Sequence, residues 1–245
     1  EEDQKIRLVV ERLGLNSVSR FDPKKRIIEY MLEEKRDEPL ADLSVRDFIK
    51  SIAARTSAPG GGSASAAIAG IGMGLACMVA RLTQGVRKFE NVENEMRRII
   101  EPLYEATNKL IPMIDADTNA FNDYMEAMRL PKQTDAEKAI RFEAMQNGLK
   151  KAIDVPLTTM KIASSAWNEV VRVARYGNIA SKSDVEVGAR ALEVGIWGAY
   201  KNVVINMPQI KDEEYKKNTL AEAEGLARRA QEKSREVLRI LDKRS

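Results

Sequence analysis

The chain has no histidine and only one cysteine among its 245 residues. Without imidazole, any proton transfer must use carboxylates, lysine, tyrosine, serine, cysteine or water. The single cysteine, Cys77, excludes a disulfide within the chain, and with histidine absent a structural zinc site is excluded as well. Cys77 lies in an apolar run, so we expect a small buried residue in a protein of a reducing compartment.

Other common features are also missing. The first ten residues do not resemble a signal sequence, and the longest apolar run, 68–80, is shorter than the ~20 residues that a membrane span needs. Lys and Arg total 40 against 37 Asp and Glu, and this small excess without a basic cluster does not predict nucleic-acid binding. Because the chain begins with Glu1 rather than Met, we expect a piece of a longer protein or a processed one.

What the sequence does have is helical periodicity nearly throughout, with 44% hydrophobic and 31% charged residues. This pattern, without strand-like alternation, predicts an all-α protein. Two short helices are predicted at 3–13 and 22–32, within an N-terminal linker segment over 1–42. Over 43–245 we expect an antiparallel bundle of about five long helices. The predicted helices there lie at 44–56, 63–84, 91–129, 134–176, 183–207 and 212–242.

Local residues predict where these helices start and bend. Caps or capping boxes are predicted at Ser44 with Asp47, at Ser63, at Thr134 with Glu137, and at Ser183 with Glu186. Kinks or breaks are predicted at Pro102, Pro112 and Pro156. The helix after Ser63 contains Gly70, Gly72 and Gly74, which each cost ~1 kcal/mol in a helix interior. We therefore expect another backbone or a ligand to approach this helix closely.

The strongest loop signal is Pro59-Gly60-Gly61-Gly62-Ser63 at the start of that helix. Three glycines leave main-chain N–H groups unshielded, and the helix start adds about half a positive charge. The pattern favours a carboxylate, phosphate or developing oxyanion, and it lacks the Lys-Ser/Thr of a nucleotide-binding P-loop. The alternative is a flexible turn.

A second candidate is the motif Asp115-Ala116-Asp117, followed by Thr118, Phe121 and Asn122. The two aspartates point about 200° apart on a helix, so both face one site only if the helix is distorted. A carboxylate beside the apolar face has its pKa raised toward neutrality, which suits acid–base work. The alternative is a solvated polar face.

A third candidate is a cationic turn that contains Arg172, Arg175, Tyr176, Asn178 and Lys182, to which Arg81, Arg87 and Lys88 add a second cationic group. It predicts either an anion site or arginine and lysine side chains that stabilise a helix C-terminus.

Together these motifs resemble the cyclodeaminase domain of the formimidoyltransferase-cyclodeaminase family. The resemblance covers about residues 43–243, in order and with matching spacing, and residues 1–32 resemble the end of the transferase half. The motifs that carry it are Leu43-Ser44-Val45-Arg46-Asp47-Phe48, Ser57–Ser63, Asp115-Ala116-Asp117 with Phe121, Leu130-Pro131-Lys132, Arg175-Tyr176-Gly177-Asn178, Ala191-Leu192-Glu193-Val194-Gly195 and Gly198-Ala199-Tyr200-Lys201-Asn202.

The resemblance implies an ammonia-lyase reaction of one-carbon metabolism and histidine degradation. In 5-formimidoyltetrahydrofolate, N10 closes on the amidine carbon, ammonia leaves, and 5,10-methenyltetrahydrofolate forms. It implies no cofactor beyond the tetrahydrofolate substrate and no metal. The family's functional aspartate falls in the Asp-Ala-Asp motif; our first candidate for the acid/base is Asp115, and the second is Asp117.

The resemblance also assigns binding roles and partners. The loop Pro59, Gly60, Gly61, Gly62 and Ser63 holds the pterin or a glutamate carboxylate, and the cations Arg87, Lys88, Arg175 and Lys182, with Tyr176 and Asn178, hold a polyglutamate tail. The family is built from dimers with the site near a subunit interface. It implies a cytoplasmic homo-oligomer fused to a formimidoyltransferase domain, with Golgi or cytoskeletal association as a variant.

Two alternatives stay open. A methenyltetrahydrofolate cyclohydrolase shares the fold, and turnover of the two folates distinguishes the two enzymes. A non-catalytic helical dimerisation domain would bind folate without turnover, although it would gain nothing from the exposed donors of the glycine loop.

Overall fold

A computed structural model describes residues 2–17, 19–27 and 38–244. The chain forms two compact units, Glu1–Asp37 and Glu38–Ser245. The first unit contains helices α1 (Glu2–Arg12) and α2 (Pro23–Arg26). The second helix predicted there, over 22–32, is described only as far as residue 27, and residues 28–32 lie outside the described residues.

The second unit is built from eight described helices, and the described residues contain no β-strand. Its helices are α3 (Val45–Ile52), α4 (Gly61–Thr83), α5 (Glu93–Leu110), α6 (Met113–Arg129), α7 (Asp135–Ser165), α8 (Trp167–Tyr176), α9 (Lys182–Asn206) and α10 (Glu213–Lys243). Short 3₁₀ turns lie at Arg87–Val92, Ile179–Ser181 and Met207–Gln209. Helices account for most of the described residues, which confirms the all-α prediction.

Some of the predicted helix starts are confirmed. The Ser44 hydroxyl accepts the Asp47 N–H at 3.1 Å, and Thr134 and Glu137 form a complete capping box. The cap predicted at Ser183 is wrong, because α9 already begins at Lys182, after a 3₁₀ turn that leads directly into it.

Proline acts differently at its three helical positions. The chain breaks between α5 and α6 next to Pro112, as predicted, whereas Pro102 and Pro156 lie inside continuous helices. The segment predicted as one helix over 134–176 breaks instead at Ala166. The fully buried Trp167 follows immediately.

Helix α4 lies at the centre of the second unit and packs on α5, α6 and α9. It runs antiparallel to α9, and the close approach predicted from its glycines is found at Gly72. A methyl group there would lie 2.7 Å from the Gly188 carbonyl oxygen and from the Leu192 nitrogen. Gly195 on α9 allows the same close approach because it has no side chain, since a Cβ there would lie 2.7 Å from Ala69. Glycine therefore sets the spacing between the two helices.

Cys77, on α4, is buried as predicted, and this burial raises the pKa of its thiol. By length and composition α4 also meets the criterion of a membrane span, with a mean hydropathy of 1.7. A core helix passes the same test, and more than half of this one is buried within the unit. The helix is longer than the apolar run 68–80 because it also includes the residues from Gly61 to Ile68.

Candidate active site

The glycine loop leads directly into the first turn of α4. Pro59 follows a cis peptide bond, Gly60 is the residue before the helix, and the helix begins at Gly61. The Gly60 position offers no side chain to cap the first N–H groups of α4. Such a helix start, with its partial positive charge, needs an acceptor from elsewhere.

The prediction that Ser63 caps this helix is wrong. Ser63 lies inside the first turn and points toward α6, where its hydroxyl donates to the Ile114 carbonyl at 2.7 Å. The same hydroxyl lies 3.1 Å from Oγ1 of Thr118. The serine therefore joins the start of α4 to the start of α6.

Asp117 provides the missing acceptor. Its Oδ2 accepts the Ser63 main-chain N–H at 2.9 Å, with the Ser63 hydroxyl at 3.4 Å. The carboxylate lies directly over Gly62, where an added Cβ would be 1.9 Å from Oδ1. Only a glycine at that position leaves room for this contact. Burial raises the pKa of Asp117 above its ordinary value, while the two hydrogen bonds from Ser63 partly oppose the shift.

Asp115 faces another part of the unit. Its side chain is 3% exposed. Oδ1 accepts the Leu40 N–H at 2.7 Å and Oδ2 accepts the Ala41 N–H at 3.0 Å. Both oxygens thus hold the segment that precedes α3, and this fits the 200° separation expected from the sequence. The structure brings Asp117, and not Asp115, to the glycine loop.

Asn202 is a third polar group at the loop, and it was not among the predicted site residues. A Cβ on Gly61 would lie 3.4 Å from its Nδ2, which itself donates to the Gly198 carbonyl at 2.9 Å. The sequence contained a signal for it, because Gly198 and Asn202 lie one helical turn apart and a small residue there leaves room for the amide. Asn202 forms the α9 side of the loop.

The cationic turn lies at the opposite end of α4. The Asn178 N–H donates to Oγ1 of Thr83, the last residue of that helix, at 2.8 Å. A helix of 23 residues is about 33 Å long. Arg175, Tyr176, Asn178 and Lys182 therefore lie far from the glycine loop of the same chain. Arg87 and Lys88, in the 3₁₀ turn just after α4, belong to the same end.

Several residues of this turn already have partners within the chain. Arg175 lies 3.2 Å from Glu236, and Lys182 lies 3.7 Å from Glu186 and 3.5 Å from Asp242. Asn178 accepts the Ala180 N–H through its own side chain. The turn thus has a structural role at the end of α8, whereas Arg87 and Lys88 are exposed.

A half-buried carboxyl group with a raised pKa, at the start of a glycine-rich helix whose N-cap residue has no side chain, is suited to moving protons on a bound ligand. Comparison with known proteins identifies the family of the chain. The family model described as formiminotransferase-cyclodeaminase matches residues 44–225, and a formiminotransferase-domain model matches residues 1–33. The chain belongs to the formiminotransferase-cyclodeaminase family.

Individual relatives agree with this family. A formimidoyltransferase-cyclodeaminase of Dictyostelium discoideum is 50% identical over all of the chain, and one of Gallus gallus is 44% identical. The chain spans about half the length of these relatives, namely 45%. A methenyltetrahydrofolate cyclohydrolase of Methylorubrum extorquens is 34% identical over 75% of the chain and 88% of its own length.

A solved structure supports the fold of this family. The crystal structure of formiminotetrahydrofolate cyclodeaminase from Thermotoga maritima has a TM-score of 0.73 and 30% sequence identity. The match covers 82% of this chain and 96% of that one. The helical unit that begins at Glu38 therefore has the cyclodeaminase fold of the formiminotransferase-cyclodeaminase family.

Proposed function

We propose that the chain is a formimidoyltetrahydrofolate cyclodeaminase, an ammonia-lyase that forms 5,10-methenyltetrahydrofolate and ammonia in histidine degradation. The observation that carries this proposal is the Asp117 carboxyl group held against the glycine loop. Membership of the family and the names of the relatives support the substrate. We further propose a cytoplasmic homo-oligomer that uses no cofactor or metal beyond its folate substrate.

Two protons have to be handled in this reaction. As N10 bonds to the amidine carbon it must lose its proton, and the amidine nitrogen must gain one to leave as ammonia. One carboxylate that accepts the first proton and then returns it to the departing nitrogen balances both steps. Starting from the protonated amidine, the positive charge ends on the methenyl product, so no net proton is consumed.

Asp117 suits this task better than Asp115. A general base needs free lone pairs within reach of the ligand, and both oxygens of Asp115 are already occupied by the Leu40 and Ala41 amides. In contrast, only Oδ2 of Asp117 accepts from Ser63, and burial raises its pKa toward the range in which an acid can also donate. We therefore assign proton transfer to Asp117 and a positioning role to Asp115.

The glycine loop binds the ligand through its main chain in this proposal. The N–H groups of Gly60, Gly61 and Gly62 lie at a helix start that carries partial positive charge, and no Cβ shields them. They suit a pterin oxygen or a glutamate carboxylate. Asn202 adds an amide on the α9 side of the same loop.

The test is to incubate the chain with 5-formimidoyltetrahydrofolate and follow the absorbance of the methenyl product. We expect enzyme-dependent product and one ammonia per turnover. Wild-type turnover no faster than buffer, with folate still bound, would support a non-catalytic dimerisation domain instead.

One relative favours a second candidate, the cyclohydrolase reaction on 5,10-methenyltetrahydrofolate. Both reactions take place at the same one-carbon unit of the folate. In the cyclodeaminase reaction ammonia leaves this carbon, whereas in the cyclohydrolase reaction water attacks it. Measuring kcat/KM for both folates on the same preparation separates them. We expect the formimidoyl substrate to be preferred, and a reversed preference would make the chain a cyclohydrolase.

A further inference from the structure

Arg81, near the end of α4, carries a guanidinium group with unused hydrogen-bonding capacity. Its Cζ lies 4.8 Å from the ring centre of Tyr104 on α5. The Nε and Nη2 atoms are shielded from solvent and have no hydrogen-bond partner among the described residues. These two nitrogens lie on one edge of the group, the edge that pairs side-on with the two oxygens of a carboxylate. An unpaired cationic donor is costly when shielded, which indicates an acceptor from outside the single chain.

The uncovered face of α4 indicates where that acceptor comes from. One stripe of the helix is not covered by the unit, since Ile71 is 61%, Met78 is 37% and Leu82 is 50% exposed. Gly74 lies on the same stripe, and a methyl group there would meet no atom within 4 Å. An apolar stripe on a central helix of such high hydropathy indicates a protein partner.

The stripe is self-complementary about Ile71. A two-fold axis at Ile71 that pairs two antiparallel copies of α4 brings together residues equally distant from that position. Ile71 then meets Ile71 of the other copy on the axis, and large side chains on either side of it meet small ones: Ile68 with Gly74, Leu75 with Ala67, and Met78 with Ala64. A second copy of the same chain satisfies both halves of the stripe at once, which an unrelated helix has no reason to do.

The same register places Arg81 of one copy beside Gly61 of the other. Within a chain, Arg81 and Ser63 are about five helical turns apart, so both lie on the side of α4 that faces α5 and α6. The two-fold axis lies in the interface and is perpendicular to α4. This side of α4 in one copy is therefore on the same side of the helix pair as the equivalent side in the other copy. Arg81 therefore arrives next to Ser63 and Asp117 of the second copy, at the site of the proposed reaction.

We propose that Arg81 completes the glycine-loop site of a second copy in a two-fold dimer, where its guanidinium pairs with a carboxylate of the substrate. This inference rests on the proposed function. Because the Nε–Nη2 edge is shielded in the single chain, the flexible side chain turns away from Tyr104 when it pairs. The glycine loop and the distant end of α4 are far apart within one chain. In the dimer, however, the glycine loop of each copy lies next to the distant end of α4 of the other copy.

The register has a test that is independent of activity. In Ile71→Cys, the two introduced thiols lie on the two-fold axis, so we expect a crosslinked dimer on mild oxidation or with a short bismaleimide. The matched control is Ile140→Cys, which replaces an isoleucine of similar exposure, 64%, on α7. The native Cys77 is buried and does not compete. Equal crosslinking of both variants, or none of Ile71→Cys, overturns the proposed pairing.

The shared site has a test by complementation. Arg81→Gln and Asp117→Asn are each assayed alone with substrate below KM, and then after unfolding and refolding together. A mixed dimer contains one site with both residues intact, so random pairing restores about a quarter of the wild-type rate. If both residues served a site within one chain, no site in the mixture would be intact. Absence of recovery in the mixture therefore overturns the inference.

The carboxylate partner is tested by kinetics. If Arg81 pairs with the substrate, Arg81→Gln raises KM by about 10- to 100-fold and leaves kcat and its pH dependence nearly unchanged. Arg81→Lys keeps the charge without the two-pronged edge and is expected to recover only part of the loss, while the exposed Arg98→Gln serves as the unaffected control. A shifted pH profile with normal KM would instead show pairing with Asp117 and contradict the substrate assignment. Failure of the proposed function is distinct, because it appears as absent wild-type turnover, whereas the crosslinking result does not depend on turnover.

Discussion

Replacing Gly62 by alanine probes the contact on which the site depends. The added Cβ would lie 1.9 Å from Oδ1 and 2.3 Å from Cγ of Asp117. Carbon and oxygen normally approach to about 3.3 Å, so the carboxyl group must move by about 1.4 Å. A shift of that size also lengthens the 2.9 Å hydrogen bond from the Ser63 N–H beyond its useful range.

The expected consequence is a loss of rate much larger than the loss of stability. Misplacing a reacting group by about 1 Å costs about 100-fold in rate, so we expect kcat of Gly62→Ala to fall by about 100-fold or more. Strain costs about 1–3 kcal/mol, and the better helix propensity of alanine offsets about 1 kcal/mol of it. The assay is methenyl formation at saturating folate, together with urea unfolding.

The matched control is Gly225→Ala on α10, where an added methyl meets no atom within 4 Å. This variant should gain about 0.5–1 kcal/mol of stability and keep its rate. A Gly62→Ala chain with wild-type kcat would refute the reasoning, since Asp117 would then tolerate the displacement that the geometry imposes.

Three further predictions concern stability. Asp115→Asn leaves the Leu40 or Ala41 amide facing a donor, so urea unfolding should show a loss of about 1–3 kcal/mol and faster amide exchange at these two residues; unchanged exchange would contradict the contact. Burial raises the pKa of Asp117 above its ordinary value of 3.8. Protonated Asp117 therefore stabilises the folded chain fully below about pH 3.8, and this contribution to the free energy of unfolding is lost as the pH rises through the raised pKa. Asp117→Asn should therefore gain thermal stability over the wild-type chain at neutral pH but not at acid pH, and an equal difference at both would count against the shift. Gly195→Ala should lose about 1–3 kcal/mol, because its Cβ would press on the backbone of α4; a neutral result would show that α4 and α9 separate freely.

The features that were predictable from the sequence depend on local interactions. The Thr134 capping box needs only residues three positions apart, and the break at Pro112 follows from a missing N–H and a ring clash. The approach at Gly72 was predictable in kind, because glycine in a long helix is costly without a neighbour. Its partner on α9 was not, since nothing local identifies which helix packs there.

The site was predictable only in part for the same reason. Helical geometry showed that Asp115 and Asp117 face different ways, but the packing of α6 against α4 decides which one reaches the glycine loop. Ser63 had the sequence of a cap, yet tertiary contacts with Ile114 turned it inward. The distance between the loop and the cationic turn at Arg175 required knowing that this turn packs at the far end of α4.

The most direct test of proton transfer by Asp117 compares kcat of Asp117→Asn and Asp115→Asn with that of the wild-type chain across the pH range in which all three are folded. We expect Asp117→Asn to lose about 10²- to 10⁴-fold in rate at every pH while its helical circular dichroism is kept. Asp115→Asn should retain the wild-type shape of the pH profile. An active Asp117→Asn beside an inactive but folded Asp115→Asn would contradict the assignment and return the acid–base role to Asp115.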